Sequence, residues 1–420
     1  MSSSLIMKRL WPPYKQRNWP LTFQQIKRSY AAPASAADKV EHTALYDFHV
    51  QHGGKIVNFG GYALPVQYAD QGIAASHLHT RAHASIFDVS HMLQTYVHGK
   101  DAIECIESIC TADIHNTSNA NGSLTVFTNS AGCILDDLIV TRVNDKQLYV
   151  VSNAAMKQQD MALMEAAVAK RKAEGKDVSI EFLSPKDQSL IALQGPSSVK
   201  ALANLTKANL QQLYFMTTII SEVAGVNDCR ITRCGYTGED GVEISVPSSK
   251  IKHVTESLLQ QTNGNVKMAG LGARDSLRLE AGLCLYGNDI DSNTTPIEGA
   301  LAWLVAKRRR AELNFPGAEI IVNQLKSGVQ KRRIGLKLST AGKPPPARSG
   351  AHIYHNNVEV GYVTSGCPSP SLGFNIAMGY IKEELKQAGT KVQVKIRDRF
   401  YDAEVAKMPF TKTNYFMKPK

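Results

Sequence analysis

The chain has 420 residues, a formal net charge of +11 and an apolar content of 43%. This length exceeds that of one ordinary hydrophobic core and predicts two or three domains. The apolar content is typical of a soluble globular protein, and no run approaches the ~18 consecutive apolar residues of a membrane helix. The sequence therefore predicts no insertion into a membrane.

The first 30 residues differ from the rest of the chain because they contain six basic residues and no acidic one. The basic residues are Lys8, Arg9, Lys15, Arg17, Lys27 and Arg28. A basic, acid-free segment without the apolar core of a secretory signal is typical of a mitochondrial transit peptide, and Arg28-Ser29-Tyr30 suits a cleavage site just after it. We therefore predict a transit peptide over residues 1–30 and a location in the mitochondrial matrix.

The alternative for this segment is a basic arm that binds nucleic acid. Without its six charges, however, the formal net charge falls from +11 to +5. Such a mild positive charge suits an anionic small substrate or an acidic partner better than a nucleic-acid groove. We predict no nucleic-acid partner.

Four histidines lie close together in the mixed segment 43–92, and two of them are spaced i, i+4 on a predicted helix. The four are His77, His79, His83 and His91. No H-E-x-x-H pattern accompanies them, and no third ligand is evident, so we interpret them as structural. The seven cysteines are odd in number and show no C-x-x-C spacing, which argues against a disulfide framework and a zinc site. We predict no metal site.

The stretch FTNSAGCILDDLIVTRV, residues 127–143, predicts a turn followed by a strand, between further strands at SLTVFTN and KQLYVVSN. Asp136 and Asp137 stand side by side among apolar residues of this strand. Successive strand residues point to opposite faces, so each carboxylate shares a face with apolar neighbours. At least one of them is expected in apolar surroundings, where a charge is costly unless something uses it.

The segment CRITRCGYTGEDGVEISV predicts two strands around a glycine-rich turn. Tyr236 lies between glycines, where the backbone can approach a ligand closely. Glu243 lies within the second strand. It is either a solvent-facing side chain or a recessed carboxylate that accepts two parallel N–H bonds from a planar donor edge.

Two helices follow, at SKIKHVTESLLQQTNG and GARDSLRLEAGL. We expect the first to be capped by Ser248 or Ser249 and closed at Gly264. Arg274 lies in the first turn of the second helix. It either contacts a ligand carboxylate or carbonyl, or forms an ordinary ion pair with Asp275 or Glu280. The basic block KRRR, residues 307–310, is either a solvated helix face or a docking point for an acidic partner.

Beyond about Asn323 the chain reads as short strands, with a hairpin turn at Asn356-Asn357. We predict a separate C-terminal β-barrel or sandwich over residues 323–420. Strands do not alternate regularly with helices in residues 31–322, so the larger part is α+β rather than a doubly wound sheet.

Several ordered blocks resemble one known family. They are FDVSHM, LDDLIV, GYTGEDGVEIS, ARDSLRLEAGLCLYGNDID, TSGCPSPSL, MPF and TNY. Between about Leu45 and Tyr415 the chain is similar to the aminomethyltransferases, or T-proteins, of the glycine cleavage system. The resemblance implies a three-domain α+β cloverleaf around a central funnel. One of the three domains is expected to be ferredoxin-like, and the C-terminal one is expected to be a jelly-roll-like β-barrel. The two N-terminal domains are expected to be interleaved in sequence.

The resemblance also implies a reaction. The lipoylated H-protein presents an aminomethyl group, and the enzyme transfers its carbon to the co-substrate tetrahydrofolate, which gives methylenetetrahydrofolate, ammonia and the dihydrolipoyl carrier. The P- and L-proteins belong to the same system. The reaction is expected to need no metal, nicotinamide or flavin.

By the family motif, Asp137 matches the catalytic aspartate, Asp136 is its structural neighbour, and Glu243 matches the residue that grips the pterin edge. The other implied folate contacts and pocket residues are Arg274, Tyr415, Tyr236 and Met92. One departure is Cys133, which stands where family members commonly have a second glycine before I-L-D-D. A side chain at this tight turn could shift the strand that carries Asp137, although we expect the change to be tolerated.

Three other functions fit less well. The folate-binding half of a dimethylglycine or sarcosine dehydrogenase would need a flavin domain upstream, for which the chain has no room. A related folate-binding factor for iron–sulfur cluster assembly would carry K-G-C-Y where this chain has R-C-G-Y-T, residues 233–237. A basic RNA-binding adaptor would need a platform of stacking aromatic residues or an RNA-binding motif.

Overall fold

The computed structural model describes residues 40–419. The predicted transit peptide over residues 1–30 therefore lies outside the described residues. Within the described part, no helix combines the length and apolar character that crossing a membrane would require. The strands of residues 40–419 form four sheets, one of which is a closed barrel.

A small three-stranded sheet begins the described chain. Its strands, in spatial order, are Glu41–His42, Tyr62–Tyr68 and Gly54–Phe59, with the helix Tyr46–Gln51 between the first and the next in sequence. Buried hydrogen bonds tie this sheet to the rest of the protein. His49 bridges Tyr68 Oη at 2.8 Å and Asp88 Oδ2 at 2.9 Å.

A six-stranded sheet forms the largest layer. Its strands, in spatial order, are Thr218–Val223, Val226–Thr232, Gly241–Pro247, Gln188–Gln194, Ala84–Asp88 and Val266–Met268. Its helices are Ile73–Ala82, Ser198–Ala203, Ile251–Leu259 and Leu271–Glu280. Alternating side chains separate its two faces. Ile191 packs with Leu202 and Leu258 on one face, while Ala192 packs with Leu277 on the other.

The predicted serine cap of one of these helices is wrong. Ser248 begins a short 3₁₀ turn, and the α-helix starts only at Ile251 and ends at Leu259, well before Gly264. The Ser248 hydroxyl instead donates to the Pro185 carbonyl at 2.9 Å. Because the Ser248 hydroxyl donates to Pro185, it does not cap the N-terminus of the helix Ile251–Leu259.

A five-stranded antiparallel sheet lies between two strands of the six-stranded sheet in sequence. Its strands, in spatial order, are Asn121–Thr128, Ile134–Asn144, Gln147–Ser152, Leu93–His98 and Ser179–Leu183. The helices Ala102–Glu107 and Lys157–Ala173 pack on it around Leu138, Val150 and Met164. The chain leaves the larger sheet after Asp88 and returns to it at Gln188, so the two sheets are interleaved in sequence.

The C-terminal part is a closed barrel. Its strands, in spatial order, are Lys331–Leu338, Asn375–Lys382, Val358–Pro368, His352–His355, Lys391–Ile396 and Arg399–Ala406. Asn356 and Asn357 both adopt positive φ, 51° and 61°, as a two-residue hairpin turn requires. The predicted α+β class and C-terminal barrel are confirmed. Asn323 lies within the helix Ala318–Ser327, and the first barrel strand begins at Lys331.

The basic block 307–310 starts the short helix Lys307–Glu312 and is mostly used inside the fold. Arg309 is fully buried and donates to the Glu107 carbonyl. Arg308 pairs with Glu107 and Asp113, which ties this helix to the five-stranded unit. Only Lys307 of the four residues is exposed, so most of this block is not a solvated helix face.

Candidate active site

The strand Ile134–Asn144 presents its two adjacent carboxylates to different surroundings, as the alternation predicts. Asp136 is fully buried on the face that Leu138 shares with the helical layer. Asp137 is half-buried on the opposite face. Ile139 and Thr141 continue that face and line a pocket between the two large sheets. Asp136 thus lies on the side of the strand that packs against the helices, which we call the back of the strand, and Asp137 lies on the side of the pocket.

The turn before this strand accommodates Cys133 without strain. Asn129 Oδ1 accepts the N–H groups of Ala131 at 3.0 Å and Cys133 at 2.9 Å. The left-handed conformation of the turn falls on Gly132, with φ of 73°, and not on Cys133. A Cβ on Gly132 would lie 3.1 Å from Ile321 Cγ1, so glycine is needed at that position only.

Asn153 joins the two aspartates and was not found by sequence reasoning. Its Nδ2 donates to Asp136 Oδ1 at 2.8 Å and to Asp137 Oδ1 at 3.0 Å, and its backbone N–H donates to Asp136 Oδ2 at 3.1 Å. It follows the strand Gln147–Ser152 directly, so its place beside the neighbouring strand could have been inferred from the hairpin register. The amide fixes both carboxylates relative to each other.

Asp137 is electrostatically unusual. Burial and the neighbouring charge of Asp136 raise the pKa of Asp137 to about 7, although the hydrogen bond from Asn153 opposes this shift. Among the described residues, no Lys or Arg forms an ion pair with Asp137 within 4.0 Å. A carboxyl that titrates near neutral pH can accept and release a proton during a reaction.

The pocket beside this strand contains about 300 Å³ of space free of protein atoms. The strands Ile134–Asn144 and Gln147–Ser152 line it from one sheet, and Gln188–Gln194, Val226–Thr232 and Gly241–Pro247 line it from the other. Glu243 is among the lining residues. Glu243 is half-buried at this pocket and is not a solvent-facing side chain, whereas its contact with a ligand stays a prediction. Burial raises the pKa of Glu243, which Arg274 opposes.

Arg274 does not form either ion pair that the sequence allowed. Asp275 instead pairs with Arg278 at 2.9 Å, and Glu280 pairs with Arg81 at 2.9 Å. The guanidinium of Arg274 lies over the ring of Tyr236, with 4.7 Å from Cζ to the ring centroid. Its Nη1 is buried and has no hydrogen-bond partner among the described residues. A buried donor without a partner suits a ligand with an acceptor at this position.

Tyr236, Met92 and Tyr415 occupy three different positions relative to these groups. Tyr236 is held by a hydrogen bond from its hydroxyl to the Cys284 carbonyl, and the charge of Asp137 raises its pKa in addition to burial. Met92 packs against the cluster that includes Leu190, a pocket-lining residue. Tyr415 lies on the C-terminal tail and stacks on Phe215 at 4.2 Å.

That tail binds the glycine-rich turn that carries Tyr236. The N–H of Asn414 donates to the Gly238 carbonyl at 2.8 Å, and its Nδ2 donates to Glu239 at 2.9 Å. The structure therefore brings Asp137, Tyr236, Arg274 and Glu243 into one region with Met92 beside it. It places Tyr415 next to the turn rather than among the pocket-lining residues.

The histidines do not form a metal centre. His77 contacts Ser276 Oγ at 2.8 Å and Glu280 Oε2 at 3.1 Å, and His79 contacts the Asn265 carbonyl at 2.8 Å. Residues 40–419 contain no group of three or more His, Cys, Asp or Glu side chains that could hold a metal ion. The contacts of His77 and His79 agree with a structural interpretation of these two residues.

Two family models cover most of the chain. The model described as the GCVT N-terminal domain matches residues 45–309, and the glycine cleavage T-protein C-terminal barrel domain matches residues 331–412. The chain belongs to the glycine cleavage T-protein family. The match to the barrel model coincides with the closed barrel of the structure.

Curated family members resemble the chain over nearly their full length. The mitochondrial aminomethyltransferase of Homo sapiens is 52% identical over 395 residues, which is 94% of this chain and 96% of that protein. The mitochondrial aminomethyltransferase of Flaveria anomala is 45% identical over 392 residues, with 93% of each chain covered. These relatives confirm the predicted enzyme class and mitochondrial location.

A crystal structure of a family member has the same fold. It is the glycine cleavage system aminomethyltransferase T from Bartonella henselae, with 37% sequence identity and a TM-score of 0.82. The match covers 90% of this chain and all of that one. The identity of the relatives does not favour the iron–sulfur assembly alternative.

Proposed function

We propose that this protein is the aminomethyltransferase of a glycine cleavage system. In this proposal it transfers the one-carbon unit from the aminomethyl-lipoyl arm of H-protein to tetrahydrofolate. The products are 5,10-methylenetetrahydrofolate, ammonia and dihydrolipoyl-H-protein. H-protein is its direct partner, and the P- and L-proteins act in the same system. The enzyme class of its relatives supports this proposal, and the geometry of the pocket assigns roles to its residues.

The polar groups at the pocket suit the two ends of a folate. A reduced pterin has a planar edge with an amino group and a ring N–H, and the recessed Glu243 can accept both. Arg274 has a buried Nη1 without a partner and a guanidinium stacked on Tyr236, which suits an acceptor or anionic group of the same ligand. Tyr236 and Met92 would bound this region, and Tyr415 would contact folate from the tail.

Asp137 carries the chemical part of the proposal. The reactive nitrogen of the folate must be unprotonated when it attacks the carbon that leaves the sulfur. Asp137 can accept a hydrogen bond or a proton at that nitrogen, and its negative charge stabilises the positive charge that develops on the transferred carbon. The observation that supports this role is that no Lys or Arg of residues 40–419 pairs with this carboxyl within 4.0 Å, while burial and the charge of Asp136 raise its pKa to about 7.

The direct test is the release of ammonia from aminomethyl-loaded H-protein by the purified enzyme. We expect release to depend on added tetrahydrofolate and to yield one methylenetetrahydrofolate per ammonia. A reaction without folate and a reaction with unloaded H-protein are the controls. Ammonia release that is equally fast without folate would contradict the proposal.

A further inference from the structure

A third buried carboxyl lies behind the catalytic strand. Asp160 is on the helix Lys157–Ala173, is fully buried, and faces the equally buried Asp136 closely enough for their carboxyls to hydrogen-bond. Neither of its oxygens receives a hydrogen bond from an N–H group within residues 40–419. Gln159, the preceding residue, donates to the Leu135 carbonyl at 2.9 Å and so holds the start of this helix against the strand.

Two facing carboxyls in such a place cannot both be ionised. Each unpaired negative charge would be desolvated, and the two would repel each other at short range. No Lys or Arg in the described part of the chain pairs with either group within 4.0 Å. One proton between them removes one charge and provides Asp160 with an O–H donor in addition to the Ser152 hydroxyl. Burial and the charge of Asp160 raise the pKa of Asp136. Burial and the charge of Asp137 raise the pKa of Asp160, while the hydrogen bond between Asp160 and Asp136 opposes this second shift.

With one shared proton, the Asp136–Asp160 pair keeps one negative charge, and the surroundings of both carboxyls stabilise that charge. Asp136 accepts two N–H bonds from Asn153, which favour the ionised form of Asp136. Asp160 lies in the first turn of its helix, where the helix dipole favours a negative charge. Because both positions support an anion, a single proton is suited to lie between them.

We propose that Asp160 is a positioning residue for the transfer reaction, because its carboxyl shares one proton with Asp136 and the pair thereby fixes Asn153 and the side chain of Asp137. This inference rests on the proposed role of Asp137. The chain of contacts runs from Asp160 to Asp136, then through the Asn153 amide to Asp137 Oδ1. The shared proton determines how much negative charge lies behind Asp137.

Substitutions at Asp160 should therefore change Asp137 in opposite directions. In Asp160→Asn the amide would donate to Asp136 and keep it fully ionised, so the pKa of Asp137 should rise. In Asp160→Leu the buried Asp136 would lose its partner and become neutral, so the pKa of Asp137 should fall. The other titratable groups that act on Asp137 or feel its charge are Asp289, Tyr236, Cys284 and Tyr286, and neither substitution changes them.

The first test is an infrared difference spectrum of the full-length protein at pH 9, wild type minus Asp160→Asn. At this pH Asp137 is mostly ionised in both proteins, even after the expected rise of its pKa in the variant. The C=O stretching band of a buried protonated carboxyl should therefore arise from the shared proton and be lost in the variant. Glu165→Gln, on the exposed side of the same helix, should leave the band unchanged. Retention of the band in Asp160→Asn would overturn the inference.

The second test is the pH dependence of kcat/KM for ammonia release. Asp137 must be ionised for the reaction, so kcat/KM should fall at acidic pH with the pKa of Asp137. The midpoint of this fall should move to higher pH in Asp160→Asn and to lower pH in Asp160→Leu, each by about half a unit to one unit. A uniform loss of rate at all pH values, or shifts in the same direction, would show a merely structural role. If Asp160→Leu does not fold, Asp160→Asn still decides both tests. The infrared result does not depend on activity, so a protein with the shared proton but no transfer activity would refute the proposed function alone.

Discussion

Two buried groups of charges in this protein are built on opposite plans. In the first, Arg278 contacts Asp289 at 2.5 Å, and Asp289 also accepts hydrogen bonds from Thr364 Oγ1 and the Leu285 N–H. In the second, the carboxyls of Asp136, Asp137 and Asp160 lie together with the bridging amide of Asn153, and no Lys or Arg of residues 40–419 pairs with them within 4.0 Å. We call the first the ion-pair centre and the second the carboxyl cluster.

The pKa directions express the same contrast. Burial acts to raise the pKa of Asp289, but Arg278 and the two hydrogen-bond donors together lower it. In the carboxyl cluster burial raises the pKa of Asp137, and no positive group compensates. The fold thus provides the buried Asp289 with a cation, whereas Asp137 beside the pocket and the two carboxyls behind its strand have none within 4.0 Å among residues 40–419. Four substitutions test this contrast, beginning with the largest expected effect.

Asp137→Ala should break the function of the carboxyl cluster without harming the fold. We expect kcat for ammonia release to fall about 10²–10⁴-fold, because a positioned proton acceptor is lost. The dissociation constant for folate should change only slightly, and the free energy of unfolding should not fall, since an unpaired buried carboxylate is removed. Near-normal turnover with lipoylated H-protein would refute the assignment.

Asp289→Ala should show the opposite behaviour in the ion-pair centre. The buried Arg278 would lose its partner, and we expect the free energy of unfolding to fall by about 3–5 kcal/mol, measured by denaturant titration. Asp275→Ala is the matched control, because Asp275 also pairs with Arg278 but is 47% exposed. It should cost less than about 1 kcal/mol. Equal losses in the two variants would mean that burial does not decide the strength of these pairs.

Glu243→Ala should mainly weaken folate binding. Loss of a recessed acceptor for two N–H donors should raise the dissociation constant about 10–100-fold, measured by calorimetry with the purified enzyme. Glu181→Ala is the control, since Glu181 is also a strand glutamate but is 60% exposed. If both variants bind folate as the wild type does, Glu243 does not contact the ligand.

The last prediction concerns the pH dependence of stability, where the expected effect is small over any single pH unit. The pKa of Asp137 is raised in the folded state, so its contribution to stability increases as pH falls from about 7 toward the ordinary value near 4. Asp137→Asn should remove a slope of about 1.4 kcal/mol per pH unit in that window. Asp88, whose pKa is lowered to about 2, has the opposite sign and loses its contribution only below pH 4. Unfolding midpoints of wild type and Asp137→Asn at pH 7.5 and pH 5 would reveal the slope, and identical slopes would disprove it.

The strand Ile134–Asn144 illustrates what sequence can and cannot predict. Period-two alternation was sufficient to place Asp136 and Asp137 on opposite faces, because that rule is local. Asp160 lies 23 residues after Asp137 on a different element. Nothing in its own segment shows that packing places it against Asp136. The sequence likewise could not predict that Nη1 of Arg274 lacks a partner among the described residues. This depends on Arg278 pairing with Asp275 and on Arg81 pairing with Glu280, the two acids that Arg274 could have used.

The same distinction explains the errors at local signals. Asn356 and Asn357 were predicted to form the hairpin turn that they do form, since few residues adopt positive φ at low cost. Ser248 was predicted to cap a helix and instead bonds across to Pro185. A hydroxyl is a weak local signal that a nearby carbonyl can override, and only the tertiary structure shows which partner is closer. The domain limits at residues 30 and 323 stay predictions.

The interleaving of the two sheets has a consequence for synthesis of the chain. The strand Ala84–Asp88 is central in its sheet, yet both of its partners, Gln188–Gln194 and Val266–Met268, lie about a hundred or more residues further along. When the ribosome reaches Gln188, every strand of the five-stranded sheet has been made. The strand Ala84–Asp88 of the six-stranded sheet, by contrast, has no partner on either side at that point. The nascent protein therefore carries an apolar, unpaired strand while about a hundred further residues are made, so its topology favours early contact with a chaperone.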